Sequence, residues 1–296
     1  MPGDRSGDVP LAPGLYLVAT PIGNLEDITL RALRVLRSVD RIACEDTRQT
    51  QKLLNHFGIT TPTVSYHMHN EGQRAEELVH ALKQGARIAV VSDAGTPGIA
   101  DPGHEIATAA IAAGVPVFPV PGANALINAL IASGLSTERF TFHGFLPAKE
   151  GQRRTALEAL RAQVGVSVET HAFYEAPHRI VDTLADMETV FGVEQAVVIA
   201  RELTKLHEEF LRGTVAELRA QLASRPAVRG EMVLLFEPQV SSAVAHEQRS
   251  IAAEVAALMQ AESLSEKDAL KRVARERGMG KSEAYRELQR EQNRLR

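Results

Sequence analysis

Three short loops rich in glycine, proline and small polar residues could hold a ligand through their backbone. They span residues 20–24, 92–98 and 121–124, and each follows an apolar run that predicts a buried strand. Small side chains let a ligand approach the backbone, and free N–H groups at a helix start attract a carboxylate or phosphate. Loops at the carboxyl ends of parallel strands are where open α/β sheets bind ligands. The sequence therefore predicts a ligand cleft formed by these loops.

The same loops lack the fingerprints of common nucleotide sites. The sequence contains neither G-x-G-x-x-G nor G-x-x-x-x-G-K-[ST], so nicotinamide cofactors and P-loop nucleotide hydrolysis have no support. It also lacks the G-x-S-x-G elbow of many serine hydrolases. The pattern instead favours a ligand whose carboxylate, hydroxyls and base are held by backbone groups.

Three charged clusters follow other apolar runs, at residues 45–48, 174–179 and 201–209. In the first, Glu45 and Asp46 could face a substrate while Arg48 orients them or binds a phosphate. Alternatively, these acids simply favour a helix N-terminus that Thr47 caps. The other two clusters could line a cleft or form exposed ion pairs, and the residues alone leave both interpretations open.

The sequence gives no support for a metal site, a membrane span or a disulfide. His67 and His69 have metal-ligand spacing, but no convincing third ligand is nearby, so we predict no metal site. The single cysteine, Cys44, is predicted to be a buried strand residue, and one cysteine fits a reducing cytoplasm. No apolar run approaches the ~20 residues of a membrane span.

Alternating strands and helices predict two consecutive α/β domains. The first covers residues 14–134 and has a mostly parallel sheet, and the second covers residues 135–239 and has a mixed sheet. A disordered tail over residues 1–13 precedes them. Residues 240–296 predict a small helical domain in which a glycine turn and a basic helix are typical of a helix-turn-helix unit.

Two aspartates mark expected helix starts in the first domain. Asp27 is expected to begin the helix after the first loop. Asp101 is expected to cap the helix after residues 92–98, with Pro102 at its first position.

Charge is unevenly distributed along the 296 residues, whose net charge is −4. Residues 266–296 hold ten lysines and arginines against six acids, so this segment carries +4 and the remainder −8. A basic tail on an acidic body suggests a polyanion partner, although a solvated charged helix explains the tail equally well.

Seven motifs in order give the chain a family resemblance. They are LVATPIGNL (17–25), CEDTR (44–48), SDAGTPG (92–98), VPG (120–122), FHGFLP (142–147), YEAPHR (174–179) and RELTK (201–205). Together they resemble the ribosomal RNA small subunit methyltransferase I family of the tetrapyrrole methylase superfamily. The resemblance covers about residues 15–238, and the helical tail is similar to that family's C-terminal domain.

The resemblance implies a two-domain class III methyltransferase, usually a homodimer, that binds S-adenosylmethionine in a cleft between its domains. It also implies 2′-O-methylation of a cytidine in the decoding region of 16S rRNA. The residues that it implies around the cofactor are Pro21, Ser92, Asp93, Ala94, Gly95, Thr96, Pro121, Gly122, Ala123, Asn124, Tyr174, Gly230 and Glu231. The third of the small-residue loops reads Pro-Gly-Ala-Asn where relatives often have serine, which leaves the contact of Asn124 open.

Transfer to a ribose hydroxyl requires alignment and a late proton acceptor. Our hypothesis places Asp46, with Glu45, at the acceptor ribose, and Glu202 with Lys205 is the alternative pair. Arg48, Arg179, Arg201, Lys205 and the basic tail are candidate phosphate contacts. Two other functions stay open: a small-molecule methyltransferase of the same superfamily acting on a tetrapyrrole-like substrate, and a non-enzymatic nucleic-acid-binding protein.

Overall fold

The computed structural model describes residues 10–67, 71–163, 169–238, 251–262 and 264–294. The first nine residues of the predicted tail, and His69 of the histidine pair, lie outside this part of the chain. The described residues form two compact units, of which one contains both β-sheets and the other contains residues 157–163 and the last three helices. The predicted α/β class with a parallel first sheet, a mixed second sheet and C-terminal helices is confirmed.

The first sheet is wholly parallel, with strand order β3-β2-β4-β1-β5. Its strands are β1 (Gly14–Val18), β2 (Arg41–Cys44), β3 (Thr63–Ser65), β4 (Arg87–Val91) and β5 (Val117–Val120). The helices that follow them are α1 (Leu30–Ser38), α2 (Thr47–His56), α3 (Glu71–Lys83), α4 (His104–Ala112) and α5 (Ala125–Ser133). Because both faces are covered, the buried positions of β1, β2 and β4 are apolar, whereas the edge strand β3 reads Thr-Val-Ser.

Alternate strand residues fill two cores, one on each face of this sheet. Ala89 and Val91 of β4 pack with α1 and α2, whereas Ile88 and Val90 pack with α3 and α4. Cys44 ends β2 in the first of these cores and is fully buried. The carboxyl ends of the strands are thereby fixed relative to one another.

The second sheet is mixed, with order β6-β7-β10-β8-β9, and only the β6–β7 pair is parallel. Its strands are β6 (Phe140–Phe145), β7 (Thr170–Glu175), β8 (Ala196–Arg201), β9 (Glu209–Thr214) and β10 (Met232–Phe236). The accompanying helices are α6 (Glu150–Gln163), α7 (Ile180–Phe191) and α8 (Val215–Ala223). Helix α5 packs on one face of this sheet through Leu126, Ala129 and Leu130, so it joins the two sheets.

The second compact unit contains α9 (Ile251–Glu262), α10 (Glu266–Glu276) and α11 (Lys281–Arg294). These three helices share one core whose fully buried side chains include Ile251, Ala269 and Ala284. Ser265 caps α10 by accepting a hydrogen bond from the Asp268 N–H. Within the described residues, no helix has the length and apolar character needed to cross a membrane.

Three predicted helix starts are wrong, because each helix begins at a different residue from the one expected. Thr29, and not Asp27, caps α1 and accepts a hydrogen bond from the Ala32 N–H. Asp46, and not Thr47, caps α2. Gly103 precedes α4 without a side-chain cap, so Asp101 is free to face elsewhere.

Candidate active site

A cleft of about 360 Å³ opens where the loops of the first sheet meet the second sheet. It lies inside the first compact unit. First-sheet residues on its wall are Ile22, Asp93, Ala94, Gly95, Thr96, Ile99, Ala100, Asp101 and Ala125. Second-sheet residues are Phe145, Tyr174, Glu175, Ala176, Pro177, Ala200, Leu203, Glu231, Met232 and Val233.

The three predicted loops come together here: the first lines the cleft through Ile22 and the second through residues 93–96, whereas the third, residues 121–124, contacts the second without lining the cavity. They follow β4, β1 and β5, which are neighbours in the sheet. Thr20 and Gly95 exchange backbone hydrogen bonds of 2.9 and 3.0 Å. The Thr96 hydroxyl donates to the Ala123 carbonyl at 3.1 Å. These bonds fix the backbone of residues 93–96, which forms the floor of the cleft.

Position 95 requires glycine. Its φ is +83°, a left-handed conformation, and a Cβ there would lie 3.2 Å from Cγ2 of Ile22. A side chain at this position would strain the loop and crowd the cleft. The backbone is therefore what this loop presents to a ligand.

Tyr174 forms the aromatic wall opposite these loops. Its ring packs edge-on against Phe142 at 4.8 Å and against Phe145 at 5.7 Å between centroids. Burial raises the pKa of its hydroxyl, which also receives a hydrogen bond from the backbone of Leu126. The tyrosine thus stays neutral and is held by α5.

The 201–205 segment closes another side of the cleft. Lys205 donates hydrogen bonds to Glu202 at 2.8 Å and Glu231 at 3.0 Å. Burial alone would lower the pKa of Lys205, but these two bonds outweigh burial and raise it. The bond from Lys205 lowers the pKa of Glu202. Both groups are consequently held in their charged forms.

Close backbone approach makes this arrangement possible. A Cβ on Gly23 would lie 2.3 Å from Cγ of Lys205, so the lysine stem can cross the first loop only over a glycine. Glu202 and Thr204 both have positive φ, at 53° and 66°, which is uncommon for residues other than glycine. Such local strain concentrates at functional sites.

Asp46 caps the N-terminus of α2. Its carboxylate accepts the Arg48 backbone N–H at 2.8 Å and pairs with the Arg48 guanidinium at 3.0 and 3.1 Å. The hydrogen bonds from Arg48 lower the pKa of Asp46. Its own N–H donates to Asp93 at 3.2 Å, which joins α2 to the cleft loop. Asp46 is therefore a weakened base that holds Arg48 in place.

Asp101 is the cleft residue that sequence reasoning missed. It lines the cavity, and its pKa is raised to about 6, first by burial and then by repulsion from Glu45, Asp93 and Glu231. The Asp-Pro sequence is typical of a helix start, so it predicted a cap and not a cleft residue. The run of small residues and glycines before Asp101 is longer than a plain turn requires. That length is the sequence signal that could have placed Asp101 at the cleft.

Several predicted site residues lie behind the cleft wall. Of the residues expected around the cofactor, those that do not line the cavity are Pro21, Ser92, Pro121, Gly122, Ala123, Asn124 and Gly230. The expected catalytic residues Glu45, Asp46, Glu202 and Lys205 do not line it either. Asn124 caps α5 by accepting the Ile127 N–H at 3.0 Å, and its amide donates to Thr96 at 3.3 Å. Its local role is therefore to brace the loop that faces the cavity.

The three candidate phosphate-binding arginines differ in exposure. The side chain of Arg48 is 87% exposed. Arg179 donates to the carbonyls of Leu146 and Pro147, and Arg201 donates to Glu209 and to the Arg229 carbonyl. Within the described part of the chain, there is no group of three or more His, Cys, Asp or Glu side chains that could hold a metal ion.

Comparison with known proteins gives a consistent result. A family model described as Tetrapyrrole (Corrin/Porphyrin) Methylases matches residues 14–219. A protein of Halalkalibacterium halodurans named Ribosomal RNA small subunit methyltransferase I is 47% identical over 283 residues, covering 92% of this chain and 93% of the relative. A Synechocystis protein of the same name is 52% identical over 222 residues, covering 75% of this chain and 78% of the relative.

Solved structures support the fold. The crystal structure of diphthine synthase covers 79% of this chain and 93% of its own, with a TM-score of 0.60 at 14% identity. At that identity, the likeness concerns the arrangement of the sheets and helices alone.

Proposed function

The chain belongs to the tetrapyrrole (corrin/porphyrin) methylase family, and on this premise we propose that it is an rRNA methyltransferase. It transfers a methyl group from S-adenosylmethionine to the 2′-oxygen of a cytidine ribose in the decoding region of 16S rRNA. The observation that carries the proposal is similarity over most of the chain to relatives whose names specify the small ribosomal subunit.

The cleft suits S-adenosylmethionine chemically. That molecule carries a sulfonium and an ammonium, and Asp93 and Glu231 place carboxylates on the cavity wall. Its adenine ring requires an apolar or aromatic surface, which Tyr174 and Phe145 supply. When bound, S-adenosylmethionine supplies an activated methyl group. The residues proposed to hold it directly are Asp93, Ala94, Gly95, Thr96, Tyr174 and Glu231.

Residues behind this wall support the same site in the proposal. They position the backbone that faces the cofactor, and they are Pro21, Ser92, Pro121, Gly122, Ala123, Asn124 and Gly230. The bonds between Thr96, Ala123 and Asn124 support this division of labour. In well-oriented reactions, precise alignment of donor and acceptor lowers the activation free energy by up to ~7–11 kcal/mol. We therefore propose that the rigidity of these loops contributes to catalysis.

The acceptor side of the proposed site is the loop after β2. Glu45 and Asp46 lie there, and Asp46 fixes the exposed guanidinium of Arg48. A guanidinium held in this way is suited to an RNA phosphate. Lys205, which pairs with Glu202 and with Glu231 of the cleft wall, is proposed to orient the incoming nucleotide.

RNA contact must overcome the acidic charge of the body. We propose that Arg48 and the C-terminal helices provide the main phosphate contacts, since residues 266–296 carry a net +4. Arg179 and Arg201 are engaged in internal hydrogen bonds, so we propose that they shape the wall near the RNA. Raising the salt concentration should weaken RNA binding steeply, and replacing Arg48 should reduce that dependence.

The test uses the full chain with labelled S-adenosylmethionine and small ribosomal subunits from a strain that lacks the encoding gene. Label recovered as 2′-O-methylcytidine after complete nuclease digestion supports the proposal. Cofactor binding without RNA label would favour a small-molecule methyltransferase, and absence of cofactor binding would favour a non-enzymatic RNA-binding protein. Naked 16S rRNA serves as the comparison substrate.

We further propose that the protein acts as a homodimer in the cytoplasm. Ile127 and Ile131 lie one turn apart on α5, and their side chains are 43% and 67% exposed. Adjoining exposed apolar residues on one helix face are suited to an interface between chains. Light scattering of the native protein should give twice the chain mass, and Ile131→Glu should reduce it to the mass of one chain.

A further inference from the structure

Asp101 occupies an unusual position among the carboxylates of the cleft. It is half-buried, lines the cavity and follows the 92–98 loop by three residues. Among the residues that the structure describes, none donates a hydrogen bond to its carboxylate, whereas Asp46 and Glu202 are both paired with cations. Its carboxylate is therefore available to a ligand in the cavity.

The surroundings of Asp101 are negative or neutral. Glu45 approaches it from the loop after β2, Asp93 from the loop after β4, and Glu231 from the start of β10. Tyr174 faces it from β7 and is sensitive to its charge. Asp101 thus lines the same cavity as residues proposed to hold the methyl donor, and Glu45 of the loop proposed to face the acceptor is among its charged neighbours.

We propose that Asp101 is the catalytic residue that accepts the proton from the acceptor hydroxyl during methyl transfer. This inference rests on the proposed function. The acceptor oxygen forms its bond to the methyl carbon, and its O–H bond breaks with the proton passing to a carboxylate oxygen of Asp101. The carbon–sulfur bond breaks at the same time, and its electron pair stays on sulfur, so the sulfonium becomes a neutral thioether.

The protonation behaviour of the site agrees with this assignment. A proton acceptor is most effective when its pKa lies near the working pH while its basic form still predominates. The pKa of Asp101, about 6, meets both conditions at neutral pH. Hydrogen bonds from cations lower the pKa values of Asp46 and Glu202, which makes both weaker bases. Lys205 has a raised pKa and stays protonated.

The first experiment compares wild-type protein with Asp101→Asn in single-turnover methylation of small ribosomal subunits at saturating S-adenosylmethionine. We expect the variant to be at least about 100-fold slower, within the range for loss of an acid–base group. Its dissociation constant for S-adenosylmethionine should stay within about threefold. Glu105→Gln is the matched control, because Glu105 is an exposed acid at the start of α4. Asp101→Glu should recover part of the rate.

The second experiment follows pH. The wild-type single-turnover rate should rise about tenfold per pH unit until Asp101 is deprotonated in the complex and then level off, and Asp101→Asn should lack this step. In ligand-free protein with carbon-13-labelled aspartate carboxyls, one resonance should titrate near pH 6, and it should disappear in the variant.

Each contrary outcome has a distinct meaning. A wild-type rate in Asp101→Asn, a loss confined to cofactor affinity, or an unchanged pH profile would overturn the assignment of Asp101 alone. Wild-type protein that labels no RNA would overturn the proposed function, and the inference with it.

Discussion

Removing the carboxylate of Asp186 should destabilise the sheet that forms the second wall of the cleft. Asp186 lies on α7, directly after the cleft segment 174–179, and its side chain is 2% exposed. It accepts hydrogen bonds from Nε of Arg153 and Nε of Arg154, both at 2.6 Å. The Arg153 side chain is only 5% exposed, so Asp186 is its main compensating charge.

The size of the effect follows from burial. Asp186→Asn keeps the side-chain volume but leaves the Arg153 guanidinium buried without a counter-charge, which costs about 3–5 kcal/mol. Arg154 is 42% exposed and also pairs with Glu150 at 2.9 Å, so it adds little to the loss. With a urea slope of about 3 kcal/mol per molar, the unfolding midpoint should fall by about 1–1.7 M.

Urea unfolding followed by far-ultraviolet circular dichroism measures this shift. Glu77→Ala is the control, since it breaks an exposed pair with Arg74 and should cost about 0.2–1 kcal/mol. Replacing both buried partners, Arg153→Met with Asp186→Leu, should restore most of the stability because no unpaired charge remains. A midpoint for Asp186→Asn no lower than that of Glu77→Ala would refute the reasoning.

Three further outcomes can be measured on the same protein. Hydrogen bonds from Arg225 and then Arg201 lower the pKa of Glu209, so its stabilising effect is present at neutral pH and lost as the pH falls below about 4. The melting temperature of wild type should exceed that of Glu209→Gln at pH 7, and a gap that persists at pH 3 would contradict this linkage. Thr214 caps α8 in a complete capping box, so Thr214→Ala should cost about 1 kcal/mol in urea unfolding, and no change would argue against the cap. Tyr174→Ala should weaken S-adenosylmethionine binding by calorimetry about tenfold while Tyr174→Phe stays within about threefold; equal effects would exclude the ring as the contact.

The sequence predicts the sheets and helices well where local signals are redundant. Helix α5 begins after Asn124 and ends at Gly134, where φ is +86°, so cap and stop are both visible in the residue types. Helix α7 likewise stops at Gly192. Such signals act within one turn of the chain and need no tertiary contact.

Competing caps cannot be separated in the same way. Asp46 and Thr47 are both good cap residues, and in the structure it is Asp46 whose side chain accepts the hydrogen bond from the Arg48 N–H. Asp101 has a cap-like sequence, yet α4 begins after Gly103. A local pattern therefore indicates that a helix starts nearby without identifying its first residue.

The composition of the candidate site was only partly predictable. Runs of small residues identified the loops that meet at the cleft, because sheet topology brings neighbouring carboxyl ends together. The crossing of Lys205 over Gly23 depends on how a second-sheet loop approaches the first sheet. No spacing within either segment encodes that approach, and the raised pKa of Asp101 depends on carboxylates from three separate segments.

Because Cys44 is buried, the reactivity of its thiol is a natural probe of local opening in the first sheet. It is the only cysteine in the sequence, it is fully buried at the end of β2, and its thiol faces the Val64 carbonyl at 3.8 Å. A thiol reagent can reach it only when the first sheet opens beside residues 45–48, so the labelling rate measures that local opening. Slower labelling in the presence of ligand would show, without any engineered probe, that binding at the cleft tightens the strand ends beneath it.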